Sequence, residues 1–501
     1  MKNHLFDSIA AHITRPAKTF IETEDGRIVT YGDLVTLSSQ IAHGLVAAGV
    51  LVGDRVAVQV EKSPEAILLY LACVRVGAVF LPLNTAYTTA ELDYFIGDAA
   101  PRLIICDPAK QAAIETIAQG ATVETLDAKG DGSLMRKSAG HPATFADAAR
   151  GPDDLAAILY TSGTTGRSKG AMLSHDNLAS NSRALCAIWR FTADDVLLHA
   201  LPVFHTHGLF VATNVALFSS ASILFLSKFD PDVLFRLMPR ATTMMGVPTF
   251  YTRLLQDQRL TRGSVAHMRL FVSGSAPLLA ETHREWNART GHAILERYGM
   301  TETNMNTSNP YEGERLAGTV GFPLPDVMLR VTEPETGQPL ATEEVGMIEV
   351  KGPNVFKGYW QNPEKTKAEF RGDGFFITGD LGKIDARGYV HIVGRGKDLI
   401  ITGGYNVYPK EVETEIDAMP GVVESAVIGI PHKDFGEAVT AVVVRHKQAN
   451  LDSKAMLAEL EKRLARFKLP KRLIIVDDLP RNAMGKVQKN VLRETYNGLY
   501  T

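Results

Sequence analysis

The sequence predicts an α/β protein: a large N-terminal α/β domain with several subdomains, one of them barrel-like, and a small α+β domain at the C-terminus. Three observations carry this. The chain has 501 residues, too many for one ordinary hydrophobic core. Up to the segment GRGKD (394–398), short apolar runs alternate with helical patterns. Beyond it the texture shifts to amphipathic helices interleaved with β-rich runs over a length normal for one domain.

The elements follow in order. DRVAVQV (54–60) and AVFLPLN (78–84) read as strands, with SPEAILLYLACVRVG (63–77) as a helix between them. This is strand–helix–strand logic and implies parallel pairing. LIICD (103–107), LAAILYT (155–161), SILFL (222–226) and RLFVSG (269–274) are further strands. Their ends are where open α/β sheets bind ligands. Residues 107–153 are poor in apolar periodicity and read as a surface excursion of little functional content. From about residue 315, runs such as VGMIEVKGPNVFKGYW alternate with Gly and Pro turns, as in an antiparallel sheet. In the last part, EVETEIDAM (411–419) and SKAMLAELEKRLARF (453–467) read as amphipathic helices, and VVESAVIGI, AVTAVVVR and RLIIVDDLP as strands. The expected domains are residues 1–394 and 399–501, with 395–398 as a charged, flexible hinge.

Composition narrows the function. Lys and Arg total 53 against 56 Asp and Glu, so nothing pushes the chain toward nucleic acid or an anionic membrane. Cys73, Cys106 and Cys186 are scattered without metal-ligand or paired spacing, which suits a reducing compartment. The first residues lack the apolar core of a signal peptide, and no run of apolar residues is long enough to span a bilayer. A cytoplasmic location is expected.

LYTSGTTGRSKG (159–170) follows a buried-type strand and carries a phosphate loop's residue types. Gly163 and Gly166 let several N–H groups face one anion, Thr161, Ser162, Thr164 and Thr165 add hydroxyls, and Lys169 adds charge. The spacing departs from the Walker type, and no helix opens at once; MLSHDNL intervenes, with Ser174 or Asp176 as the helix cap. RYGMTE (297–302) offers a ring at Tyr298, a hydroxyl at Thr301 and a hard oxygen for Mg²⁺ at Glu302. TGD (378–380) places a carboxylate at Asp380, GRGKD brings Arg395 and Lys397, and PRNAMGKVQK (480–489) brings Lys486. Taken alone, RYGMTE reads weakly, TGD as a plain hairpin turn and PRNAMGKVQK as a solvated tail, whereas LYTSGTTGRSKG differs from a flexible Ser/Gly linker in following a buried strand and ending in a lysine.

Together, in this order, the five motifs resemble the ANL superfamily of adenylate-forming enzymes, over essentially the whole chain. The resemblance implies a large N-terminal domain, a hinge, a small mobile C-terminal domain, ATP and CoA as co-substrates and Mg²⁺ as cofactor. It implies that Thr161, Ser162, Gly163, Thr164, Thr165, Gly166 and Lys169 hold the β- and γ-phosphates. Gly274, Ser275 and Ala276 would border the acyl and adenine pockets, and Arg297, Tyr298, Gly299, Met300 and Thr301 would line the nucleotide site, with Tyr298 stacked on adenine. Glu302, with Thr161, would bind Mg²⁺. Asp380 and Arg395 would hold the ribose, Lys397 would be the hinge, Lys486 the catalytic lysine, and Gly403 and Gly404 would line the thioester-forming site. Ala483 departs from the hydroxyl residue common in the last motif.

The acid pocket carries polar groups. LPVFHTHGLF (201–210) matches the family's Pro-aromatic-His-Gly motif and puts His205 beside the acid. Arg284, about two turns into the helix after SAPLL, could pair a second carboxylate. With Ser275 and Met300 these are the expected acid-binding residues. LPVFHTHGLFVATN, FVSGSAPLLAETHREW and ERYGMTETNMNTSNPYEGER are similar to the branch of the family that activates malonate, with methylmalonate a plausible minor substrate. The alternatives are a ligase for medium-chain or aryl acids and a non-catalytic nucleotide-binding relative. Lys486, whose charge the first step would need, is also an expected target of a protein acetyltransferase.

Overall fold

The structure is a computed structural model that describes residues 3–161, 168–403, 405–447, 449–482 and 485–500. Ser162, Gly163, Thr164, Thr165, Gly166, Gly404 and Ala483 lie outside the described residues. The chain divides into two compact units. One comprises Met1–Ala317, Gly321–Met328 and Lys351–Gly374; the other Gly318–Val320, Leu329–Val350 and Phe375–Thr501. Residues 395–398, expected as a hinge, belong to the second unit.

The first unit is built on two mainly parallel sheets. In the six-stranded sheet, Thr122–Thr125, Leu103–Cys106, Arg55–Gln59, Val79–Pro82 and Leu155–Thr161 run parallel, and Lys169–Ser174 returns antiparallel at one edge. In the nine-stranded sheet a parallel centre runs from Leu295–Met300 through Leu270–Ser273, Thr243–Gly246, Val196–His199 and Ser222–Phe225 to Thr19–Thr23. Strands such as Leu103–Cys106 and Leu270–Ser273 are buried at every position because both sheet faces are covered. The helix Pro64–Val76 is likewise buried all round. Ser63 caps it by accepting from the Ala66 N–H, Pro64 sits where no helical N–H is needed, and Gly77 ends it at φ 78°.

Residues 107–153 correct the sequence expectation. They supply the helices Gln111–Glu115 and Ser133–Ser138 and the edge strand Thr122–Thr125, and they bury Ile114, Leu126 and Leu134. The elements are too short to show a period, and their order comes from pairing with Leu103–Cys106.

The second unit holds most of a four-stranded sheet in the order Met328–Thr332, Gly346–Lys351, Phe376–Ile384 and Val390–Arg395, the last three strands antiparallel. Its C-terminal part pairs Val422–His432 with Gly436–Arg445 along ten residues and adds Arg472–Val476 parallel to the latter. Pro409–Asp417 packs Val412 and Ile416 onto this sheet. The helix expected over 453–467 ends at Leu460; Ala465 is extended and Arg466–Lys468 form a 3₁₀ turn. No helix among the described residues is long and apolar enough to cross a membrane.

Candidate active site

The phosphate-loop motif joins two antiparallel strands, with Thr161 facing Lys169. The following helix begins only at His175, capped by Ser174 in a capping box with Asn177. Between the motif's last residues and that helix runs the strand Lys169–Ser174, unlike the Walker arrangement, in which the loop opens directly into a helix. Lys169 Nζ stands 3.5 Å from Glu369 Oε1 and 4.8 Å from the Tyr359 ring centre. The Tyr359 hydroxyl is shared between Glu369 Oε2 at 2.6 Å and Glu302 Oε1 at 3.1 Å. Burial first, then the Glu302 charge, holds the Tyr359 phenol protonated, so it stays a donor.

Glu302 and Thr301 occupy the turn between Leu295–Met300 and Asn304–Ser308. The turn is tight: a Cβ at Gly299 would overlap the Asn304 carbonyl oxygen. Glu302 is buried, and its own carbonyl accepts from Phe356 N–H at 2.8 Å. Among the described residues no three acidic, His or Cys side chains form a metal cluster. A single buried carboxylate such as Glu302 suits Mg²⁺, which keeps most of its shell as water and substrate phosphate. Glu302 fits the ion.

The strand Leu270–Ser273 ends in a strained turn, with Ser275 at φ 71°. Ser275 Oγ lies 3.1 Å from His207 Nδ1. His207 opens the π-helix His207–Thr213, and its N–H donates to His205 Nδ1 at 3.3 Å. Beneath Gly274 lies Arg297, 3% exposed. Its Nε and Nη2 have no partner among the described residues, nor does His207 Nε2. Burial pushes the Arg297 guanidinium down to about 9. Burial, and next the Arg297 charge, keeps His207 well below the usual imidazole range and hence neutral at pH 7. A buried cation without a counter-charge is costly, so this corner is built to receive an anion.

Arg284, expected at the acid, is exposed. The helix Ala280–Thr290 buries His283, Trp286 and Thr290, spaced three and four apart, and Arg284 lies exposed off that face. It starts only at Ala280, so Arg284 is about one turn in rather than two. Arg297, expected to line the nucleotide site, lies against Gly274 and acts on His207. His205 is half-buried and supports the His207 backbone. Ala276, Tyr298, Met300 and Thr301 are half-buried around the same strand ends.

Within the second unit, four distant motif residues meet. Asp380 and Arg395 are direct cross-strand partners, with Arg395 Nε 2.6 Å from Asp380 Oδ1. Lys486 presents an exposed surface, and desolvation by the groups packed around it lowers its pKa to about 8. Arg395 and Lys397 lower it further, against Asp380 and Asp398. The Lys486 loop closes on itself: Asn482 N–H donates to Lys486 O, and Lys486 N–H to Asn482 Oδ1, both at 2.9 Å. Arg481 grips the Gly485 carbonyl at 2.8 Å and pairs with Glu424. Exposed Lys397 is followed by Asp398, which pairs with Arg493. Gly403 takes φ 57° and donates to Phe435 O at 2.8 Å.

His207, Tyr359 and Glu369 were missed from sequence. The second histidine of HTHG was a usable signal for the first; nothing local marked the other two.

The family model for the AMP-binding enzyme matches residues 7–360, and that for its C-terminal domain matches residues 411–486. The crystal structure of ATP-bound MatB from Rhodopseudomonas palustris superposes with a TM-score of 0.99 at 67% identity, covering 100% of both chains. A malonate–CoA ligase of Arabidopsis thaliana is 34% identical, covering 98% of this chain and 90% of its own length. A feruloyl-CoA synthase of Amycolatopsis sp is 36% identical over 94% of each.

Proposed function

The chain belongs to the AMP-binding enzyme family, and from that premise we propose that it joins malonate to coenzyme A at the expense of ATP. A malonate carboxylate oxygen attacks the α-phosphorus of ATP, the bond to the β-phosphate oxygen breaks, and pyrophosphate leaves. The CoA thiol, losing its proton, then attacks the acyl carbon and releases AMP. The nucleophile of the first step is already ionised, so no general base is needed; two anions must instead be held together. Lys486 offsets that charge, with Asp380 and Arg395 on the ribose and Tyr298 against the adenine. Lys169, beside Glu369 and Tyr359, clamps the departing pyrophosphate. Mg²⁺, held by Glu302 and Thr161, would neutralise phosphate charge.

The observation that carries the choice of acid is Arg297. A buried guanidinium with two unpartnered nitrogens, beside Ser275 Oγ and a neutral His207, suits a second carboxylate. An apolar fatty or aryl tail would leave those donors unsatisfied. The match to the Arabidopsis ligase supports the same acid, whereas the feruloyl-CoA synthase match shows that overall identity alone does not choose it. Thioester formation should be assayed across malonate, methylmalonate, succinate, acetate and octanoate. Malonate should give the highest kcat/KM, with methylmalonate second; turnover of octanoate without malonate would overturn the reading.

Lys486 carries the further proposal of control by a protein acetyltransferase, since an amide there cannot offset charge. Finding no acetyl-Lys486 by mass spectrometry of protein from cells with an active acetyltransferase would count against it. The three cysteines are free, as a reducing compartment such as the cytoplasm keeps them.

A further inference from the structure

Lys62 lies in the loop between the strand Arg55–Gln59 and the helix Pro64–Val76. Its ammonium reaches the carboxyl ends of two strands in the other sheet. It donates to His199 O at 2.9 Å, to Leu226 O at 2.7 Å and to His199 Nδ1 at 3.1 Å, and rests 4.2 Å from the Phe225 ring centre. Three acceptors match the three N–H bonds of an ammonium, and all three are neutral. Such a side chain is a poor strut: no carboxylate is among its three hydrogen-bond acceptors, and burial pushes its ammonium well below the usual lysine range against the charge of Glu24, so it costs more than an apolar side chain of the same length.

Its effect is on His199. Because Nδ1 accepts from Lys62, the ring proton must sit on Nε2. That N–H points at Gly208 O, 2.9 Å away, with Thr213 Oγ1 at 3.3 Å. Thr213 Oγ1 also donates to Gly208 O at 2.9 Å. The Gly208 carbonyl is therefore held by two side chains, where the backbone passes so close to Pro202 that a Cβ on Gly208 would overlap its carbonyl oxygen. The residue before Gly208 is His207, which meets Ser275 and sits by Arg297.

We propose that Lys62 is a positioning residue for the acid pocket: it holds His199 in the tautomer that clamps Gly208, and so sets the turn that presents His207. This rests on the assignment of His207 and Arg297 to the acid. A displacement of the turn by a fraction of an ångström weakens the acid's contacts, while the ATP contacts on the remaining strand ends persist.

The test is a split in steady-state constants in the full-length protein, with unfolding midpoints measured alongside. Lys62→Met should raise KM for the acid about tenfold and leave KM for ATP within about twofold. Lys62→Arg, which restores donors, should recover part of the loss. His199→Phe should give the same signature, and the double variant should be no worse than either single one, because the two act in series. If Lys62→Met does not fold, His199→Phe, which removes the acceptor and the Nε2 donor, carries the test alone, and an unchanged acid KM in that variant would overturn the proposal. An unchanged acid KM, a parallel rise in both KM values, or additive effects would overturn the proposal. A wild type that prefers another acid would overturn the malonate reading instead, and the Lys62 series would then be run with that acid.

Discussion

A Cβ built on Gly274 would stand 2.6 Å from Nε of Arg297, so this glycine is where the buried guanidinium finds room. The same contact makes two substitutions informative. Gly274→Ala should displace the guanidinium and lower kcat/KM for malonate more than for acetate. Arg297→Met should remove the discrimination between them by about 2–5 kcal/mol, the range for a buried charge pair that loses one member. Without acid, Arg297→Met should also unfold at a higher temperature than the wild type, because an unpaired buried charge has been replaced by an apolar chain. Steady-state kinetics and thermal melts check both, and an Arg297→Met enzyme that still prefers malonate would refute the assignment.

Lys486 should impose a pH limit. Its ammonium is needed charged, and burial, with Arg395 and Lys397, brings its pKa down to about 8. A lowered base is charged below that value, so adenylate formation should fall as pH rises through about 8. Lys486→Arg should move the fall to higher pH, and Lys486→Ala should abolish pyrophosphate release while thioester formation from supplied malonyl-AMP continues. Stopped-flow measurement of each half-reaction distinguishes the two steps.

Asp380 is 3% exposed and sits across from Arg395. Asp380→Asn keeps the shape but loses the charge that orders Arg395 and receives ribose hydroxyls. KM for ATP should rise by about tenfold, equivalent to roughly 1.4 kcal/mol, with little change in KM for the acid. A rise confined to the acid would show that the pair serves another ligand.

Arg284→Ala should change neither constant by more than about twofold, since the side chain is exposed off the buried face of its helix. A selective loss of malonate affinity in this variant would restore Arg284 to the acid site.

Much of this was legible in sequence, for particular reasons. LAAILYT, LIIC and LFVS are long enough in apolar residues to read as buried strands. The cap was legible only as Ser174 or Asp176, since both are capping residues near the start of a helical period; the structure uses Ser174. Residues 107–153 were not, because a four-residue edge strand carries no period. Spacing along the helix does not show which side is packed: Trp286 lies on the buried face of Ala280–Thr290, and Arg284 is exposed off it.

The sequence by itself determined the family, the order of the nucleotide motifs and the lysine that ends them, because each motif is local and their succession is specific. Tertiary structure alone decided which charged groups are buried together. Arg297 with His207, Tyr359 with Glu302, Lys62 with His199, and Asp380, Arg395 and Lys486 in one field are pairings between distant segments. Whether a charge is desolvated depends on everything packed around it, and no stretch of sequence contains that information.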